Sequence, residues 1–297
     1  MTATPSAPFG NIATAMITPF TKDNHVDHEK AWKLARHLTA NGTETLVVAG
    51  TTGESPTLSD DEKLALFKTV VDAVAEKQTK VMAGTGTYDT RHSVEMTRRA
   101  GELGVDGVLA VSPYYNKPGQ QGLVSHFRAI ADVGLPVMVY NIPGRTGTLI
   151  EVETLERLAD HNGIVAVKDA VMDIDFTSRT INQIPGFPVY SGQDSMTLPM
   201  LSVGAVGIVS VVAHVAGPAI AAMVKAALGG DYEEARRLHH QLLPVFQACF
   251  LETNPAPIKA AVSQFWEPVG DVRLPLTAAS EVTLTAIEKA LGAVNAS

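Results

Sequence analysis

Cysteine is almost missing from this chain: Cys249 is the only one in 297 residues. One thiol makes no internal disulfide and no cysteine-based zinc site, so the expected setting is reducing and cytoplasmic. Basic charge is scarce as well. The 23 Lys and Arg against 31 Asp and Glu leave a formal charge of −8, with no basic block to track phosphates, so nucleic acid is not expected as a partner. Nucleotide motifs are lacking too: Gly84-Thr85-Gly86 has no third glycine, and no Gly-Lys-Ser/Thr follows a glycine-rich turn. Gly-x-Ser-x-Gly does not occur. The opening MTATPSAPFG has neither a basic nor an apolar region and is not read as a signal peptide. Residues 195–224 form a 30-residue stretch without Asp, Glu, Lys or Arg, long enough to span a bilayer. Pro199, Gly204, Gly207, His214, Gly217 and Pro218 interrupt it, and Ile208–Val212 reads as a buried strand, so no membrane span is expected.

What the chain does have is regular alternation. Eight short apolar runs, at 11–17, 44–49, 80–84, 107–111, 136–140, 164–168, 188–190 and 205–209, are nearly continuous in hydrophobicity, as parallel strands covered on both faces are. Helical patterns lie between them, one opened by the capping box Ser59-Asp60-Asp61-Glu62 and running to about Glu76. Alternation alone leaves a doubly wound open sheet possible; the count of eight favours an α/β fold of the (β/α)₈ TIM-barrel type. Past Gly229-Gly230 only helical patterns continue, at 231–252, 256–266 and 280–294. The expected organisation is a catalytic barrel over 1–229 and a C-terminal helical extension over 230–297, packed together for want of a flexible linker.

Active sites of such barrels lie at the C-terminal ends of the strands. There the chain places Gly50-Thr51-Thr52-Gly53-Glu54-Ser55, Tyr140-Asn141-Ile142-Pro143-Gly144-Arg145 and the pair Lys168-Asp169. An ammonium closing the apolar run 164–167 is costly unless paired or used. Two readings stay open: a lysine snorkelling outward or paired with Asp169, or a nucleophile with a lowered pKa that forms an imine with a carbonyl substrate. Tyr140, Thr51, Thr52 and the Tyr114-Tyr115 pair offer hydroxyls at the same mouth. His25 and His28 read as a solvated capping turn, and the adjacent His239 and His240 point apart, so neither pair is taken as a metal site. Asn254-Pro255-Ala256-Pro257 reads as a stop between two helices.

Six motifs then occur in order: GTTGE at 50–54, SPYYNKP at 112–118, YNIPGRTG at 140–147, the lysine of VAVKDA, SGQD at 191–194 and NPAPIK at 254–259. Together they resemble the dihydrodipicolinate synthase family of pyruvate-dependent class I aldolases over nearly the whole chain. The resemblance implies that Lys168 condenses with pyruvate and that Tyr140, Thr51 and Tyr115 relay protons, with Tyr115 crossing from a neighbouring subunit. It implies that Thr52 contacts the pyruvate carboxylate, that Gly192 and Val209 lend backbone contacts, and that Arg145 receives the carboxylate of L-aspartate 4-semialdehyde. No metal or organic cofactor is implied, and the family habit is a homotetramer, a dimer of dimers. Departures are Gln193, where many members carry an acid, and Val171-Met172, where small residues are usual. The alternatives are a sugar-type lyase such as N-acetylneuraminate lyase, which tends to have Ser at the Thr52 position and no arginine at Arg145, or a non-catalytic barrel. In lysine-inhibited members a pocket forms near Ser55 and Tyr114; Asp60, Lys63, Tyr88 and His92 stand here where those members hold His, His, Asn and Glu, which implies weak or absent inhibition.

Overall fold

A run of three to six apolar residues in a strand stays buried only if both faces of its sheet are covered, and here one helix follows each strand to do so. The computed structural model describes residues 5–295; residues 1–4 of the N-terminal segment read above lie outside the described part. Strands β1 (Ile12–Ala15), β2 (Thr45–Val48), β3 (Lys80–Gly84), β4 (Gly107–Val111), β5 (Val137–Asn141), β6 (Ile164–Asp169), β7 (Val189–Ser191) and β8 (Gly207–Ser210) run parallel and close in sequence order. Helices α1 (His28–Ala40), α2 (Asp60–Val74), α3 (Thr90–Glu102), α4 (Gln120–Ala131), α5 (Val152–Ala159), α6 (Ile174–Gln183), α7 (Thr197–Ser202) and α8 (Ala213–Leu228) follow the strands in turn. The fold is therefore the eight-stranded barrel. Closure pairs Ala13 on β1 with Val209 on β8, which satisfies the two edges that an open sheet would leave bare.

All eight apolar runs are strands, with ends moved by a few residues. The run 11–17 yields only β1 because the chain leaves the ladder beyond Met16, and Ile17 gives its N–H to His214 Nε2 at 3.1 Å instead. The uncharged stretch 195–224 divides into α7, β8 and the larger part of α8, and among the described residues no helix is long and apolar enough to cross a membrane.

Strand alternation sorts side chains between two cores. Ala13, Val47, Met82, Leu109, Met138, Ala166 and Val209 fill the barrel interior, with Phe9 plugging the end where the strands begin and giving its N–H to the Tyr190 hydroxyl. The opposite faces pack against helices. In α2 the Ser59–Glu62 capping box forms as expected, and Leu66, Phe67, Val70 and Val74 are buried on one side. Each such side chain contributes roughly 1.5–3 kcal/mol by leaving water. Gly84 has no room for a side chain, since a Cβ there would lie 2.3 Å from the Ala49 carbonyl oxygen. That close approach draws the ends of β2 and β3 together beneath the site.

Three further helices complete the chain: α9 (Tyr232–Ala248), α10 (Ala256–Phe265) and α11 (Glu281–Asn295). Only Gly229, Gly230 and Asp231 separate α8 from α9, which fold back along each other, and α10 also rests on α8. Asp231 caps α9 by accepting from Glu234 N, so the turn is sharp and the extension is seated on the barrel.

Candidate active site

β6 sets the site through its period of two. Ala166 points into the barrel, so Lys168 does as well, one layer higher. Asp169 points outward, where its carboxylate accepts from Val171 N (2.9 Å) and Thr177 Oγ1 (2.6 Å). Lys168 is therefore neither paired with Asp169 nor snorkelling: it is 4% exposed, with Nζ 4.2 Å from the centroid of the Tyr140 ring. Burial pulls the Lys168 amine down to about 7, and Arg145 works in the same direction, while the Asp194 carboxylate opposes both. Near neutrality a large share of this amine is thus unprotonated and nucleophilic.

Tyr140 comes from the adjoining strand, in register with Lys168. Burial raises its hydroxyl to about 12, moderated by Arg145 and by a hydrogen bond from the Thr51 side chain. A phenol of that acidity holds its proton until a stronger base forms beside it, which suits a proton relay. Thr51, Tyr140 and Arg145 line one cavity of about 220 Å³, together with Ser55, Tyr114 and the backbone of Gly84 and Gly86. The geometry thus brings together four residues from three strand ends.

Other expected residues lie around this group. Thr52 is buried and its hydroxyl accepts from Asn254 Nδ2 at 2.9 Å. Gly192 gives its N–H to Asp169 O at 2.7 Å, and a side chain there would strike Ala170, so its backbone lies close against the end of β6. Val209 is buried in the barrel interior. Tyr115 stands apart: it is 92% exposed, its φ of 72° is left-handed, and it does not line the cavity of its own chain. Beside the cavity, Tyr88 meets Tyr114 edge-on at 5.3 Å, His92 Nε2 pairs with Asp60 Oδ2 at 2.8 Å, and Lys63 is buried. Of the two departures, Gln193 caps no helix with its side chain, and Met172 is exposed in a left-handed turn. His239 and His240 lie with ring centroids 5.7 Å apart; among the described residues no three His, Cys, Asp or Glu side chains gather as a metal site would need.

Sequence reasoning assigned four contributors no part in the site: Asp194, Asn254, Glu54 and Lys259. Asp194 is buried and accepts from Ser210 Oγ (2.5 Å), Val211 N (3.1 Å) and Val212 N (3.2 Å), which ties β7 to the end of β8 and sets a carboxylate within electrostatic reach of Lys168. Its signal was its place as the last charge before the uncharged stretch. Asn254, read as a helix stop, also receives Arg145 Nη2 on its carbonyl oxygen at 3.2 Å. Glu54 and Lys259 form a buried ion pair at 2.7 Å, 205 positions apart, which no local pattern reveals.

A closed parallel barrel whose buried lysine amine is drawn down to about 7 over the face of a tyrosine, at the catalytic ends of the strands, defines an enzyme with the groups that carbonyl chemistry through an imine would need. The chain belongs to the Dihydrodipicolinate synthetase family, whose profile matches residues 8–294. It is 50% identical over 283 residues to the 4-hydroxy-tetrahydrodipicolinate synthase of Heliobacterium modesticaldum, covering 95% of this chain and 94% of that one. It is 52% identical over 275 residues to the enzyme of the same name from Desulforamulus reducens, covering 92% and 93%. The lysine-bound crystal structure of DHDPS from Cyanidioschyzon merolae superposes with a TM-score of 0.95 at 43% identity, covering 98% of this chain and 99% of that one.

Proposed function

We infer that this chain catalyses the 4-hydroxy-tetrahydrodipicolinate synthase reaction, a lyase-type condensation of pyruvate with L-aspartate 4-semialdehyde that serves diaminopimelate and lysine biosynthesis. The observation that carries this reading is the buried Lys168 amine, lowered to about 7 and set over the Tyr140 ring at the mouth of the barrel. Neutral Lys168 attacks C2 of pyruvate, and the carbinolamine loses water to give a protonated imine. Loss of a proton from the pyruvate methyl carbon gives the enamine, with the iminium nitrogen taking up the electron pair. The enamine carbon adds to the aldehyde, and its oxygen takes a proton through the relay of Tyr140, Thr51 and Tyr115. The amino group of the second substrate then attacks the imine carbon, closes the ring and releases Lys168. Atoms balance with one water lost.

Positions support the remaining roles. Thr52 follows Thr51 at the end of β2, Gly192 lies against the end of β6 and Val209 is buried in the barrel interior, which supports their part in holding pyruvate beside Lys168. Arg145 stands at the rim with its fork suited to a carboxylate. Tyr115 reaches outward in a conformation that costs strain unless a neighbour fixes it, which supports its insertion into the site of another subunit and a homotetramer built as a dimer of dimers. Residues 1–229 serve as the catalytic barrel and 230–297 as its extension. A single buried thiol supports a cytoplasmic home. The pocket region of Ser55, Asp60, Lys63, Tyr88, His92 and Tyr114 is read as a weakened lysine site.

The test is chemical trapping. Borohydride added with pyruvate should leave one reduced adduct per chain, located at Lys168 by peptide mass, and aspartate semialdehyde should then yield the cyclised product. An adduct on another lysine overturns the assignment.

A further inference from the structure

Helix α10 touches the site at two points that the reaction as described does not use. Just before it, Asn254 donates through Nδ2 to Thr52 Oγ1 (2.9 Å) and accepts Arg145 Nη2 on its main-chain oxygen (3.2 Å). Within it, Lys259 Nζ donates to Glu54 Oε1 (2.7 Å) and to Asp271 O (2.9 Å), over the face of Phe20 at 3.8 Å. Glu54 is left-handed at a φ of 56°, and its N–H bonds Thr51 O at 3.1 Å. The turn bearing Thr51 and Thr52 is thus held at Thr52 and again at Glu54 by one segment, 254–259, from the far end of the chain.

We propose that Asn254 and Lys259 are positioning residues for the pyruvate site, holding the 50–54 turn so that Thr52 directs its hydroxyl proton at the substrate carboxylate. A hydroxyl that accepts from an amide N–H keeps its own proton free to donate elsewhere. The amide does this at a cost, since Asn254 Oδ1 is buried with no partner among the described residues. Stability is a poor reason to keep the other anchor: a buried ion pair gives little net gain over well-packed apolar residues, and the Glu54 and Lys259 side chains are only 1% and 2% exposed. The same segment also fixes Arg145, so the recognition groups for both substrates share one support.

This rests on the assignment of Thr52 above, and the experiment separates the two. Pyruvate is titrated against borohydride trapping in the full chain without the second substrate, with thermal melting alongside. Asn254→Ala and Asn254→Asp, the latter keeping the shape but losing the donor, should raise the half-saturating pyruvate concentration about tenfold, the value of one hydrogen bond. Adding Thr52→Val to Asn254→Ala should change it by less than about twofold, because the two act as one unit. Lys259→Met should raise it similarly, and Lys259→Arg should restore it. If Asn254→Ala does not fold, Asn254→Ser carries the comparison. Unchanged half-saturation with a lowered melting temperature overturns the proposal, as does a full multiplication of the Asn254 and Thr52 effects. If Thr52→Val alone has no effect, the Thr52 assignment falls and the proposal with it; if it has an effect without coupling to Asn254, only the proposal falls.

Discussion

Tyr140 and Lys168 are register partners on β5 and β6, and the lysine nitrogen sits 4.2 Å from the tyrosine ring centroid. Ring and amine come from neighbouring strands with the same inward phase, so neither can shift without moving the sheet. The ring face favours the charged amine while burial disfavours it, and burial wins.

That balance predicts a pH profile. The trapping rate with pyruvate should rise through about pH 7, where the amine loses its proton, rather than near the ordinary value of 10.5. Folding stability should respond too. With its folded pKa lowered, Lys168 binds fewer protons in the native chain than in the unfolded one between about pH 7 and 10.5, so its stability cost is full below pH 7 and fades as pH rises. Lys168→Met should abolish trapping and gain roughly 1–3 kcal/mol in unfolding free energy at pH 6, shrinking toward pH 10. A loss of stability at pH 6 would count against the buried amine.

Arg145→Ala should raise the KM for aspartate semialdehyde far more than that for pyruvate, since loss of one charge-assisted hydrogen bond costs roughly 1.5–3 kcal/mol. Arg145 also helps lower the Lys168 and Tyr140 protons. The trapping profile of the variant should therefore move to higher pH. A change confined to pyruvate KM would reassign the residue.

Assembly should govern turnover. A variant that stays folded but dissociates to monomers, followed by sedimentation and steady-state rate, should be nearly inactive because Tyr115 no longer has a neighbouring site to complete. A fully monomeric, active variant would remove Tyr115 from the relay.

L-Lysine should inhibit weakly or not at all. An ammonium ligand needs a free carboxylate, and Asp60, the acid placed to compensate for His92, is already bonded to His92 at 2.8 Å. Lys63 is buried within electrostatic reach of the same Asp60 carboxylate and competes for it, although burial lowers its own hold on a proton. Initial-rate inhibition near neutral pH is the measurement; half-inhibition well below millimolar, beyond roughly −4 kcal/mol of binding, would refute it.

The legible part of this molecule was the part written in short periods. Runs of one apolar face after another named all eight strands, and the 59–62 capping box named the start of α2. Lys168 was legible because a charge at the end of an apolar strand is anomalous in itself, although local pattern could not say whether Asp169 neutralised it. The strand's own alternation decides that, by sending the two side chains to opposite faces. Asn254 and the Glu54–Lys259 pair were illegible for a different reason: their partners lie about 200 positions away, and an asparagine before proline carries the same local signature whether it ends a helix or steadies a threonine. Tyr115 announces itself only in part: the motif marks it, but within its own chain it stands exposed and away from the cavity, so the role proposed for it depends on a neighbouring surface.

The seam between β1 and β8 also has a meaning in time. Asn11 Nδ2 reaches Val206 O across 195 positions, so at ordinary rates of translation β1 waits on the order of 10–40 s for its second neighbour to be made. Asn254 and Lys259 emerge later still. Until the barrel closes, Lys168 stays in water, where an amine keeps its ordinary hold on a proton, so the lowered value of about 7 comes only with the burial that closure provides.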